Sequence, residues 1–309
     1  MFVLVQERTE QESELSDIES VSRELADRVA AAEASVVRVH AGHRGGGSGF
    51  VWSEHLVVMA AHHLARGDEG FEVSTSSGRH PLTLLGVDLA SDVAVLRSDV
   101  DLVPLRAVEP ETLRVGQLVI GLGRSGEGVR ANLGALAVLG GGFRLAGGSQ
   151  VDRYIETDLR LHNGFSGSVL LAAGGGLIGM NTASLARGTP LTLPVSTLAR
   201  VVDALVEHGR VPKSYLGVSV QPARLPGALS SELGQRTGLA VLGVEPGGPA
   251  EQAGVLLGDV LLGLGGARLS RVFKLQAALP ASAANSALEL SVLRAGERRT
   301  LTAEPRLRS

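Results

Sequence analysis

"TDLRLHNGFSGSVLL", Thr157 to Leu171, sets one serine between glycines, Gly164-Phe165-Ser166-Gly167, directly ahead of an apolar run. A serine that is to attack a carbonyl needs a presented hydroxyl and backbone N–H groups aimed at the developing oxyanion. Flanking glycine permits the tight turn that supplies both. Two upstream segments hold the other parts such a serine requires. His62 stands in "VVMAAHHL" (Val57 to Leu64), where Ala60 and Ala61 leave room for an imidazole, and Asp92 stands in "GVDLASDVAVL" (Gly86 to Leu96) at the head of an apolar run. The order along the chain is His, Asp, Ser: a general base, a carboxylate to orient it, and a nucleophile.

His63 competes with His62 for the role of base. If the local chain is extended, neighbouring side chains point to opposite faces. The two alanines before His62 favour it as the wedged imidazole, so His62→Ala is expected to remove activity and His63→Ala to spare it. Taken singly, each of the three residues has an ordinary structural role: a turn serine, a hydrogen-bonded histidine, a strand-initiating aspartate. Their conjunction in this order is what argues for chemistry.

The 309 residues suffice for two domains with substantial cores, and no cysteine is present to staple them. With 29 basic and 32 acidic side chains, a net charge of −3 and no basic stripe, nucleic acid is not an expected partner. The 41 glycines fall between short apolar runs, the pattern of many short strands joined by tight turns. No run approaches the roughly 18 apolar residues of a membrane span. "MFVLVQERTEQ" has no basic residue before its apolar start and acidic residues soon after it, unlike a secretory signal. Read alone, the chain is expected to be soluble and cytoplasmic.

Residues 7 to 34 lack Pro and Gly, and Ile18, Val21, Leu25 and Val29 recur at helical spacing, which predicts an amphipathic helix bracing the domain after it. From Val36 to about Thr192, runs such as "SVVRV", "FEVSTS" and "PLTLLGV" predict an all-β barrel or sandwich. The triad order selects the chymotrypsin-type double β-barrel, since other folds carry the same groups in other orders. A helix capped by Ser196 and ending before Gly209 closes this region. After it, "VPKSYLGVSVQPA" opens a smaller α+β module with a short helix from Pro249, a helix capped by Ser270 that carries Val272, Leu275 and Leu279, and a closing hairpin "LELSVLRAGERRTLTA". The boundaries predicted are 1–34 for the helical segment, 35–210 for the barrels and 214–305 for the module.

"GLGRSG", Gly121 to Gly126, fits a dinucleotide-binding fingerprint, but no strong helix pattern follows and no acidic residue lies between Gly128 and Val151 to hold a ribose, so it is read as a glycine-rich turn. Metal-binding patterns are absent: there is no cysteine and no H-E-x-x-H. No cofactor is implied.

"GSGFVW", "MAAHHL", "GVDLASDVAVL", "RVGQLVIGLG", "IETDLRLHNGFSGSVLL", "LIGMNTA" and "HGRVPKSYLGVSV", taken in order, resemble the successive landmarks of the HtrA (Do-type) serine endopeptidases, from about Val36 to Ala303. The resemblance implies a trypsin-like domain followed by a PDZ domain. It implies His62, Asp92 and Ser166 as the triad, the N–H groups of Gly164 and Ser166 as the oxyanion hole, and Leu191, Thr192 and Leu193 as a wall of the primary specificity pocket. It implies "YLGV", Tyr215, Leu216, Gly217 and Val218, as the loop that grips a peptide C-terminus. Unfolded or extended polypeptides are the implied substrates, in protein quality control. A homotrimer built through the N-terminal segment is the implied assembly, with Phe2 the aromatic available there, and an extracytoplasmic location is the family's habit. Met59, Phe165, Ser168 and Val169 depart from the family's usual residues, and a peptide-binding protein without hydrolytic activity is the alternative those departures raise.

Overall fold

The computed structural model describes residues 18–307 apart from 43–44, 65–69, 76, 109–111, 125, 127, 146–147, 163 and 186–189. Phe2 and the first part of the expected N-terminal helix therefore lie outside the described residues. Helix α1 spans residues 18–32. Its apolar stripe is covered only toward its end: Leu25 and Val29 are half-buried and Ala32 is buried, whereas Ile18 and Val21 are 67% and 51% exposed. The periodicity identified the stripe, but the expected brace is confined to its last two turns.

Strands β1 (Val36–Ala41), β2 (Gly45–Ser53), β3 (Leu56–Ala60), β4 (Phe71–Thr75), β5 (Gly78–Asp88) and β6 (Val93–Ser98) close into a barrel in the order β1-β2-β3-β6-β5-β4. Alternating residues fill it, among them Val37, Val39, Val51, Val57, Met59, Val73, Ala94 and Leu96. The next eight strands are β7 (Leu118–Gly123), β8 (Arg130–Gly140), the short pair β9 (Phe143–Arg144) and β10 (Gln150–Val151), β11 (Tyr154–Thr157), β12 (Val169–Ala172), β13 (Leu177–Thr182) and β14 (Leu191–Pro194). Six of them form a sheet in the order β11-β8-β7-β12-β13-β14 that curls until its edge strands β11 and β14 touch. Leu113, Val119, Leu136, Ile155 and Leu170 fill this second core. The fold is mainly β, with the expected two barrels.

Helix α2 (Val195–His208) follows β14 directly and turns Leu198, Val201, Val202 and Leu205 inward. It begins at Val195, so Ser196 lies in its first turn and is not its cap. Gly209, at φ 70°, ends it in the left-handed conformation that glycine adopts without a Cβ penalty.

The remaining elements are β15 (Ser214–Tyr215), β16 (Val218–Arg224), α3 (Gly227–Leu233), β17 (Thr237–Val244), α4 (Pro249–Gln252), β18 (Val260–Leu264), β19 (Ala267–Arg268), α5 (Val272–Ala277), β20 (Leu288–Arg294), β21 (Glu297–Ala303) and β22 (Arg306–Leu307). Their main sheet runs β16-β17-β18-β20-β21. Leu216, Leu239, Val241, Leu261, Leu290 and Val292 form its core. Ala295 and Gly296, at φ 51° and 86°, make the two-residue turn of the predicted closing hairpin. Arg271, without a side-chain capping bond, precedes α5, so the predicted cap at Ser270 is displaced by one residue, and Leu279 lies past the helix end. Asp259, almost wholly buried, is held by a two-pronged pair with Arg294 at 2.8 Å, which satisfies the charge that burial would otherwise penalise.

By internal contacts the chain divides into two compact units. One holds the residues up to Asp88 with Asp92–Gly142 and Asp152–Val206; the other holds Leu89–Ser91, Phe143–Val151 and Glu207–Ser309.

Candidate active site

His62 lies in the single 3-10 turn Ala61–His63 that ends β3. Ala60 and Ala61 are fully buried, and the Ala61 N–H donates to the Asp92 carbonyl at 3.1 Å, tying this turn to the chain entering β6. Asp92 sits at φ 59°, a left-handed conformation that aspartate tolerates better than most residues. The residue is 2% exposed and its carboxylate is surrounded by donors. The His62 N–H donates to Oδ1 at 2.9 Å, His62 Nδ1 lies 2.9 and 2.8 Å from the two oxygens, and the Thr182 and Ser184 hydroxyls both donate to Oδ2, the second at 2.6 Å. Burial alone pushes this carboxyl up. The bonds from His62, Ser184 and Thr182 outweigh it and hold the group below the ordinary carboxylate value.

Ser166 follows a tight turn. The Phe165 N–H donates to the His162 carbonyl at 2.9 Å, and Gly164 has φ 78°, a left-handed conformation that glycine adopts without a Cβ penalty. Gly167 is also left-handed, at φ 85°, and a Cβ there would run into the Ser48 carbonyl oxygen. The N–H groups of Gly164 and Ser166 have no hydrogen-bond partner among the described residues. Two unpaired donors beside a nearly buried hydroxyl are suited to an anion. The Ser166 Oγ accepts from the Ala183 N–H at 3.2 Å, and among the described residues that is its only partner. The His62–Ser166 bond is not formed in this conformation.

The structure thus brings His62 and Asp92 into direct contact and leaves the N–H groups of Gly164 and Ser166 without a partner among the described residues. Three features of the site were not foreseen. Thr182 and Ser184, about ninety residues beyond Asp92, complete its carboxylate shell. Phe165 turns its ring into the interior, 1% exposed, over Gly121 and Gly123, where a Cβ would come within 3.5 and 3.1 Å of the ring. Those two glycines lie in β7, so the predicted glycine-rich turn begins as strand, and part of its glycine content is explained by the ring it must clear. His63 does not point away as an extended chain would require. The 3-10 turn leaves the His62 and His63 rings 4.3 Å apart.

Leu191, Thr192 and Leu193 occupy β14 and are all buried. Thr192 pairs with Asn181 in register and donates its hydroxyl to Asn181 Oδ1 at 2.8 Å. The Asn181 amide in turn donates to Ser168 Oγ at 3.1 Å, linking this wall to the serine turn. Among the described residues no cluster of three or more His, Asp or Glu is arranged to hold a metal ion.

In the second unit a groove of about 630 Å³ runs between β16 and α5, lined by Tyr215, Leu216, Gly217, Val218, Val272 and Leu275 among others. The Leu216 carbonyl accepts from the Ala250 N–H at 2.7 Å and the Gly217 carbonyl from the Glu245 N–H at 2.8 Å. With both carbonyls tied inward, the N–H groups of Leu216 and Gly217 have no partner among the described residues. Gly217, at φ 75°, makes this reversal possible. β16 is an edge of its sheet, so its outer backbone is available for strand addition.

Comparison with known proteins gives the same two parts. Residues 47–180 match the trypsin-like peptidase domain and residues 214–304 match the PDZ domain. A protein of Halomonas elongata named as a DegP-like periplasmic serine endoprotease is 31% identical over 264 residues, 83% of this chain and 55% of that protein. The chloroplastic protease Do-like 1 of Arabidopsis thaliana is 30% identical over 287 residues, 85% of this chain and 64% of that protein. The chain therefore spans between about half and two thirds of the length of these relatives. The solved structure of the HtrA-type protease AlgW with a decapeptide superimposes with a TM-score of 0.69 at 26% identity, covering 92% of this chain and 99% of that one. The same protease with a tripeptide gives 0.67 at 28% identity, covering 92% and 97%.

Proposed function

This chain, a trypsin-like peptidase domain followed by a PDZ domain, belongs with the HtrA (Do-type) proteins, and from that premise we propose that it is a serine endopeptidase acting on extended or unfolded polypeptides. The observation that carries the reading is the buried Asp92 carboxylate on His62 Nδ1, beside a serine whose turn leaves two N–H groups unpaired. His62, Asp92 and Ser166 are the proposed triad. For attack, the Ser166 hydroxyl leaves the Ala183 N–H, turns to His62 Nε2 and adds to the scissile carbonyl as the imidazole takes its proton. The oxyanion is received by the N–H groups of Gly164 and Ser166. The imidazolium, steadied by Asp92, returns the proton to the leaving amine, and water then releases the acyl group by the same route in reverse.

Leu191, Thr192 and Leu193 offer no charge to the side chain preceding the cleaved bond, which supports a preference for aliphatic residues there. The intact chain is expected to hydrolyse casein, with products cut after aliphatic residues. No cleavage at all would remove the endopeptidase reading, and cuts mainly after Lys or Arg would remove the pocket assignment. The binding-only alternative draws no support from Phe165, whose ring is turned into the core.

The second unit is proposed to hold the free C-terminus of an extended peptide, its carboxylate on the N–H groups of Leu216 and Gly217, its backbone along β16 from Val218, and its last side chain against Val272 and Leu275, with Tyr215 also lining the groove. A peptide with a free apolar C-terminal residue is expected to bind the intact chain at least tenfold more tightly than its amidated twin, since amidation removes the charge those N–H groups receive. Equal affinities in a calorimetric titration would show that the groove does not read chain ends. The periplasmic names of the DegP-like relatives favour an extracytoplasmic location over the cytoplasmic expectation, and homotrimeric assembly is carried within this reading by the family resemblance alone. Among the described residues no helix is long and apolar enough to cross a membrane.

A further inference from the structure

His63 is not used by the mechanism above, yet its side chain touches both the residue that carries the proposed nucleophile and the neighbouring His62 ring. Its Nε2 lies 3.2 Å from the Ser166 carbonyl oxygen, 103 residues away, and its ring is stacked at a tilt against His62. The ring is seated in a slot that β2 provides: a Cβ on Gly47 would fall 2.6 Å from the His63 ring carbon Cδ2. A carbonyl only accepts, so the contact requires the proton on Nε2. Burial first, and then the neighbouring His62, hold His63 below the ordinary histidine value, so at neutral pH the ring is uncharged and carries a single N–H. That N–H goes to the residue bearing the nucleophile.

We propose that His63 is a positioning residue of the proteolytic reaction, whose Nε2–H holds the Ser166 carbonyl and thereby fixes the serine turn against the turn that carries His62. The proposal rests on the endopeptidase reading. Anchoring the carbonyl limits rotation of the Ser166–Gly167 peptide, and so holds the approach of Oγ and the direction of the Ser166 N–H toward the oxyanion. This role revises the expectation from sequence that His63→Ala spares activity. His62 remains the base, since it alone of the two has its Nδ1 on Asp92.

The test is steady-state hydrolysis of a peptide containing a casein cleavage site by the intact chain. His63→Ala is expected to lower kcat roughly ten- to a hundredfold, with KM changed less than about twofold, because orientation and not ground-state binding is lost. His63→Gln, whose amide N–H reaches about as far as Nε2, is expected to recover kcat to within about fivefold of the parent. An Ala variant with unchanged kcat overturns the proposal, and so does a Gln variant no better than Ala. A parent without activity counts against the endopeptidase reading, and the inference is then decided by nitrogen-15 NMR of the histidines. An Nε2–H tautomer at His63 supports the contact, and an Nδ1–H tautomer overturns it.

Discussion

Ser166→Ala is expected to abolish casein hydrolysis, with kcat falling by on the order of 10⁴- to 10⁶-fold, since loss of the nucleophile disables the triad as a unit. The fold should survive. The hydroxyl accepts one hydrogen bond, from Ala183, and its loss costs about 1 kcal/mol. Gly164, Gly167 and the buried Phe165 ring continue to set the turn. A fluorophosphonate probe is expected to label the parent on Ser166 and to leave the variant unlabelled. His62→Ala should lose hydrolysis to a similar degree. A Ser166→Ala variant that cleaves casein within tenfold of the parent rate would move the nucleophile elsewhere.

The second large effect is expected at Asp92→Asn, where kcat should drop by roughly 10⁴-fold. The backbone is not the reason, because asparagine accepts a φ of 59° as readily as aspartate. The hydrogen-bond shell is. Oδ2 receives the Thr182 and Ser184 hydroxyls, and Oδ1 receives the His62 N–H, with Nδ1 against both oxygens. An amide NH₂ placed anywhere in that shell meets donors. The relief within reach is for His62 to offer Nδ1 as an acceptor, which puts its proton on Nε2, the atom that must be bare to take the serine proton.

The same substitution has a signature in stability. Asp92 titrates in the folded state below its ordinary value of 3.8, so its ionised form stabilises the fold above that value, and the contribution is lost as pH falls through the lower folded value. The Asn variant lacks the contribution at every pH. Melting curves of the parent and of Asp92→Asn should therefore differ most near neutrality and converge as the pH is taken below 3.8. A gap that stays constant down to pH 2 would mean that the carboxylate is not stabilised by its shell.

Some of this molecule was legible from local pattern. The strand runs that became β1, β4 and β5, the hairpin at Ala295-Gly296 and the stop at Gly209 follow from residue type and from the φ values a residue tolerates, which are properties of a few neighbours. The pairing of His62 with Asp92, part of the proposed trio with Ser166, was legible for a different reason, because its parts are chemically distinctive and few turns can present them. Local pattern failed where a residue's role depends on a partner far along the chain. Thr182 and Ser184 look like ordinary residues at and beyond a strand's end until β13 brings them to Asp92. Phe165 departs from the usual residue until β7 supplies two glycines beneath its ring.

An extended chain would turn His63 away from the site, and a one-turn 3-10 segment instead carries its ring to the Ser166 carbonyl. Ile18 and Val21 show the converse, a correct helical stripe that the described residues leave uncovered. By itself, then, the sequence determined which segments became strands and turns and which three groups could carry the chemistry, because sterics and hydrogen-bonding capacity are local. The tertiary structure decided which hydroxyls surround Asp92, where the ring of Phe165 goes and what His63 holds, because those contacts exist only once strands distant in the chain have paired in one register.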